Sequence, residues 1–203
     1  MERRLRRCGC HPFNVVRAGW EASWWEYDTN QLSGETNDPD GRADDPYNDC
    51  GPGVLAGYRR TRTRLEGQVD MVAPDTIRDY MYGEGSKGYT YAVDLANAAR
   101  GMWGYTSQSQ YLNYEQTLEL LQTVVPAGGL VMVLSQEPAG YFHWTAWTGW
   151  FDDGRIIRHN PYGGYREILS EADARNRFRN SVVVTTPPSK DGGFSDNATQ
   201  RRR

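Results

Sequence analysis

A chain of 203 residues with 23 basic and 26 acidic side chains, formal charge −3, can bury one proper core but not two. It also lacks the cationic surface that nucleic acid demands. No run approaches the ~18 apolar residues of a membrane span, and the opening MERRLRRCGC is basic without the apolar stretch of a secretory signal. Nucleic acid and membrane are therefore not expected partners; the expected location is the cytoplasm, with release by lysis if the chain is phage-encoded.

In chain order, residues 1–44 read as an irregular lead-in, anchored by the apolar patch Trp20, Trp24 and Trp25 and followed by the turn-rich TNQLSGETNDPDGRADDP. The expected domain spans residues 45–185 and the expected tail 186–203. A helix is predicted in DCGPGVLAGYRRTRT, because Asp49 is a favoured N-cap and Pro52 falls in the first turn, where its missing N–H costs nothing. Three more helices are predicted in PDTIRDYMYG, TYAVDLANAARGMWG and NYEQTLELLQTVV from their three- and four-residue apolar spacing. After Pro126 the period shortens to strand-like runs: GLVMVLS, YFHWTAWTGWF, a turn at Asp152, Asp153 and Gly154, then RIIRHNPYGG. A last helix in LSEADARNRF leads to SVVVTT. Helices first and strands second predict an α+β domain.

The three cysteines, Cys8, Cys10 and Cys50, are an odd number in a chain that needs no staples, so no disulfide framework is expected. Cys8, Cys10 and His11 make at most half a zinc site; no second pair at ligand spacing completes it, and neither metal nor cofactor is expected. Cys50 stands out by position. A thiol at a helix N-terminus meets the positive end of the dipole and unpaired N–H groups, which favour its thiolate and could hold an oxyanion. Asp49 next to it opposes this, and an N-cap role that turns its carboxylate towards the backbone would limit the effect.

A nucleophilic thiol needs a base and a group that orients the base. The only histidines are His11, His143 and His159. His143 begins a predicted strand and would share a face with Thr145, Trp147 and Gly149. His159 and Asn160 are neighbours and point to opposite faces, so at most one serves that site. Asn160 suits the orienting role, because its side-chain oxygen accepts an imidazole N–H without adding charge.

The segments NDCGPGVLAGY and FHWTAWTGWFDDGRIIRHNPYGGYREILSEADARNRF resemble the peptidases that process bacteriocin leaders and their soluble relatives, all papain-like cysteine peptidases. YTYAVDLANAARGMWGY and NYEQTLELLQTVVPAGGLVMVL extend the resemblance over about residues 45–180. It implies a papain-like α+β fold, with a helical first half packed on an antiparallel sheet. It also implies Cys50 as nucleophile in the DCG motif, His143 as base and Asn160 as third member. In the family the third member is usually Asp, so Asn160 keeps the orientation but not the charge. Six residues before the nucleophile the family usually has a Gln that donates to the oxyanion; here Asp44 stands there, and a carboxylate cannot donate. Asn48 or Gln31 is then the expected oxyanion-hole donor, beside the Cys50 N–H. The expected activity is a thiol hydrolase acting on a peptide or isopeptide bond of a peptide or protein substrate, as a monomer. The alternative is a papain-like binding module with weak turnover or none. One geometric difficulty stands: an ideal hairpin about Asp153 and Gly154 sets Asn160 opposite Trp147, about 13 Å along the strand from His143 at ~3.3 Å per residue. A bulge or a different register is needed.

Overall fold

The computed structural model describes residues 19–23, 25, 49–84, 86 and 88–188. Its elements run β1 (Gly19–Glu21), α1 (Cys50–Leu65), α2 (Pro74–Tyr82), α3 (Ala92–Trp103), β2 (Thr106–Tyr111), α4 (Tyr114–Val124), β3 (Leu130–Gln136), β4 (Phe142–Phe151), β5 (Ile156–Asn160), β6 (Tyr165–Leu169), α5 (Glu171–Arg177) and β7 (Phe178–Thr186). The α+β expectation and the four long helices hold. Local chemistry explains several ends. Pro74 opens α2 where it needs no N–H, Gly104 closes α3 in the left-handed region, and Asn113 with Gln116 forms a reciprocal capping box at the start of α4.

The strands form one antiparallel sheet in the order β2-β7-β3-β4-β5-β6, with β1 pairing on β4. Two strands escape the sequence pattern. The first half is not wholly helical: TSQSQY forms β2, although its Ser and Gln residues carry no hydrophobic alternation. It is held by full pairing with the Val-rich β7 and by a hydrogen bond between the Ser107 and Thr185 hydroxyls at 2.7 Å. YREIL forms β6, an edge strand that among the described residues pairs only with β5 and is largely exposed. The lead-in also contributes structure: β1 extends the ladder along Gly149–Phe151, and Trp25 is buried between Tyr58 of α1 and His159.

The hairpin β4-β5 resolves the register difficulty in two steps. Phe151 and Arg155 close a three-residue loop whose last member, Gly154, has φ +85°, a backbone form that favours glycine. A β-bulge at Thr148 then moves the pairing, from Gly149 opposite Ile157 to Trp147 opposite Arg158 and Ala146 opposite His159. Continued one step, this register sets Asn160 against Thr145. That makes it a diagonal neighbour of His143, about 7–8 Å between backbones and within reach of their side chains.

The central helix α1 is buried along most of its length and carries small residues where neighbours come close. A Cβ on Gly51 would stand 3.0 Å from Leu95 and Thr90 side-chain atoms, so glycine after Cys50 lets the start of α1 lie against α3. At Gly149 a Cβ would meet the Trp20 carbonyl oxygen at 2.4 Å and Glu21 Cα at 2.8 Å, both backbone atoms that cannot give way locally. Gly149→Ala should therefore expel β1 from the sheet and cost about 1–3 kcal/mol, read as a lower urea midpoint. An unchanged midpoint would mean that β1 adds nothing to stability.

Candidate active site

Cys50 is the first residue of α1 and is 7 % exposed. Its Sγ accepts a hydrogen bond from the backbone N–H of Trp144 at 3.4 Å, one residue beyond His143. Pairing with β3 continues along β4 as far as Phe142, whereas β5 ends at Asn160. The sulfur thus occupies the edge of β4 that β5 has vacated. On one side Cys50 opens into an apolar cavity of about 320 Å³ walled by Tyr89, Thr90, Tyr91, Leu134, Phe142 and Trp144. Phe142 and Trp144 flank His143 in the strand, so the imidazole leans to the opposite side from that cavity.

There His143 Nε2 lies 2.8 Å from Asn160 Oδ1. The Tyr162 backbone N–H also donates to this oxygen at 3.0 Å, while Asn160 Nδ2 faces the Tyr165 hydroxyl at 3.1 Å and Glu167 Oε2 at 3.5 Å. A backbone N–H only donates and a carboxylate only accepts, so the amide orientation is fixed from both ends. The Asn160 oxygen can only accept, so His143 carries its proton on Nε2 and, when neutral, keeps the Nδ1 lone pair for a second partner. His159 points the other way, as strand alternation requires, and its ring meets Trp25 edge-on at 5.6 Å.

Two expectations about electrostatics are corrected. The Cys50 thiol is pushed up to about 11, chiefly by burial, which outweighs the donation from the Trp144 and Gly51 N–H groups; Asp49 pushes the same way. The helix start therefore does not ionise the resting thiol, because its partial charge does not replace the lost water. Nor does Asp49 cap the helix with its side chain. Its carboxylate is fully buried and meets Arg78 Nη1 at 3.2 Å. The same guanidinium donates to the Ser86 carbonyl at 3.0 Å and the Gly88 carbonyl at 2.6 Å. Arg78 thus neutralises the charge beside the nucleophile candidate and pins the segment leading to Tyr89, Thr90 and Tyr91. Trp144 Nε1 secures the segment again through the Thr90 carbonyl at 3.0 Å. Burial holds His143 below the ordinary imidazole range, against the Asn160 hydrogen bond and the field of Glu137, which favour the charged form.

Of the residues expected in the site, Asn160 is hydrogen-bonded to His143, and Cys50 lies against the backbone N–H of the next residue of β4. Gln31, Asp44 and Asn48 lie outside the described residues, as do Cys8, Cys10 and His11. The sequence reading missed Arg78 and the ion pairs behind Asn160, in which Arg158 joins Glu137 and Glu167. Their charges resemble any surface charge until the strands pair.

No family model and no curated protein matches the sequence. Among solved structures, the peptidase domain of Streptococcus ComA, a bifunctional ABC transporter involved in quorum sensing, superposes with a TM-score of 0.53 at 16 % identity, over 72 % of this chain and 95 % of that one. This chain has the papain-like cysteine peptidase fold. The peptidase domain of Streptococcus mutans ComA matches at TM-score 0.49 and 16 % identity, over 68 % of this chain and 92 % of that chain. The double-glycine-motif protease of an AMS/PCAT transporter, in complex with the leader peptide, matches at 0.46 and 14 %, over 68 % and 84 %. The papain-like arrangement of a buried helix start against an antiparallel sheet is therefore reached here with a sequence far from that of the ComA domain.

The raised thiol has a signed consequence. Unfolded Cys50 ionises near 9 and folded Cys50 near 11, so folding loses stability as pH rises between these values. Wild type should lose about 2 kcal/mol more than Cys50→Ala from pH 9 to 11, by urea unfolding at each pH. Equal losses would mean the thiol is solvated. Arg78→Met should cost about 3–5 kcal/mol, since it takes a cationic partner from the buried Asp49 carboxylate, and Asp49→Asn in the same chain should recover much of it.

Proposed function

We propose that the chain is a cysteine peptidase, a thiol hydrolase that cleaves a peptide or isopeptide bond with Cys50 as nucleophile, His143 as base and Asn160 as the group that orients the base. The observation that carries this reading is the Asn160 Oδ1 to His143 Nε2 hydrogen bond, next to a thiol bound to the very next backbone N–H of β4. The papain-like fold agrees with it.

In this mechanism the proton moves from Cys50 Sγ to His143 Nδ1 as the sulfur attacks the substrate carbonyl. The imidazolium then gives that proton to the departing amine, and a water activated by the same nitrogen releases the acyl group. The resting pair is a neutral thiol and a neutral imidazole, since burial disfavours both charged forms. The developing oxyanion would meet the Cys50 N–H, with Asn48 or Gln31 completing the hole. The apolar cavity beside Cys50 would take an apolar part of the peptide. A precursor peptide is one substrate class, motivated by the resemblance of the DCG and FHWTAWTGW segments to leader-processing peptidases. The enzyme acts as a monomer, without metal or cofactor.

A second reading, a papain-like module that binds peptide without turnover, is favoured by one observation, the thiol held near 11. A peptide library profiled by mass spectrometry separates the two. Cleavage abolished by Cys50→Ala and lowered about 10²–10⁴-fold by His143→Ala supports the peptidase. Binding that survives Cys50→Ala, with no product from wild type, supports the module. The lowered His143 fixes the pH dependence. The base is neutral above its depressed pKa, so the acid limb of the cleavage profile should have its midpoint below 6.5. A midpoint at or above 6.5 would contradict a buried base.

A further inference from the structure

We propose that Glu167 is a positioning residue for this candidate triad: from the edge strand β6 its carboxylate holds the Asn160 amide with its oxygen towards His143. The inference rests on the triad reading and adds a fourth member that the sequence motifs do not contain.

Among the described residues, Asn160 has two contacts on its nitrogen side. The Tyr165 hydroxyl at 3.1 Å can donate or accept, so it tolerates either orientation of the amide. Glu167 Oε2 at 3.5 Å tolerates one, because it cannot donate. Glu167 is itself immobilised: Arg158 Nε lies 2.7 Å and Nη2 2.6 Å from that same oxygen. Arg158 is 1 % exposed and makes a second, bidentate pair with Glu137 at 2.8 and 3.1 Å, and Glu137 also receives Arg177 of α5 at 2.9 Å. Buried arginine is thereby matched by two carboxylates, one of which has an oxygen directed at the Asn160 amide.

Around His143 the facing groups come from several elements. Ser135 of β3 pairs with it, Glu137 follows that strand, and the Tyr141 ring lies edge-on at 6.1 Å. Arg158 and Asn160 come from β5, Tyr165 and Glu167 from β6, Arg177 reaches the cluster from α5, and Cys50 lies at the strand edge. The charged members are two carboxylates and two guanidiniums. The neutral Asn160 thus stands between the ring and an anchored negative charge, and the amide transmits the orientation.

The test is a double-mutant cycle in a Cys8→Ala, Cys10→Ala background, reading the iodoacetamide alkylation rate of Cys50 at pH 7 by intact mass. Glu167→Gln should slow alkylation about 5–10-fold, because a Gln amide accepts Asn160 in either orientation and leaves the Tyr162 N–H alone to select one. Asn160→Asp should slow it as well, since two carboxylates then meet at the contact. Together they should be faster than Asn160→Asp alone, because the introduced amide can donate to the introduced carboxylate, a reversal of sign that a purely structural role through Arg158 would not give. Additive losses overturn the proposal. His143→Ala separates the two levels: if it leaves Cys50 alkylation unchanged, the triad reading itself fails, whereas slow alkylation in His143→Ala with an additive cycle sinks Glu167 alone. A second measurement needs no double variant. With three histidines in the chain, the His143 Nε2 proton can be followed by NMR. It should be observable in wild type and exchange-broadened in Glu167→Gln, and equal protection in both would also overturn the assignment.

Discussion

The hydrogen bond between His143 and Asn160 depends on where strand β5 stands against β4. Two residues that an ideal hairpin would leave about 13 Å apart along the strand become diagonal neighbours through a three-residue loop and one bulge. Each device shifts the pairing, and both lie at Gly154 or Thr148, away from the residues they align. The same register turns His159 towards Trp25 and α1 and leaves Asn160 on the face of His143. Since side chains alternate with a period of two, a slip of one residue would exchange the pair and put an imidazole where the amide is needed.

The end of β5 has a second effect. It leaves a length of β4 with no strand on one side among the described residues, and the start of α1 meets that edge with the Cys50 sulfur against the Trp144 N–H. The approach is close because Gly51 has no side chain to strike Leu95 and Thr90. Burial follows from that closeness and raises the thiol, so the helix start that would activate an exposed cysteine serves here mainly to position it. Arg78 keeps the arrangement tolerable by neutralising Asp49 and holding the cavity wall in the same guanidinium.

Behind the candidate triad, polar burial is arranged in pairs. Arg158 is almost fully enclosed, which would be prohibitive for a lone guanidinium; Glu137 and Glu167 compensate it from opposite sides, and Arg177 compensates Glu137 in turn. The cluster joins the end of β3, strands β5 and β6, and α5, so the exposed edge strand is tied to the interior through its one inward carboxylate.

By itself the sequence determined the α+β class, the four long helices and the short α5, the strands β3, β4, β5 and β7, and the candidates Cys50, His143 and Asn160. These are properties of short windows: periodicity, capping and the chemistry available to each residue type. The strand β2 was invisible because its Ser and Gln residues gain order only from β7, and β6 because its pattern is mostly exposed. The bulge at Thr148, the Asp49–Arg78 pair and the partners of Arg158 were invisible too, since each joins residues distant in sequence whose charge or size is ordinary on its own. The sign of the Cys50 shift was decided only by tertiary structure. A helix start acts locally and can be read from the chain, but desolvation depends on everything packed around the sulfur.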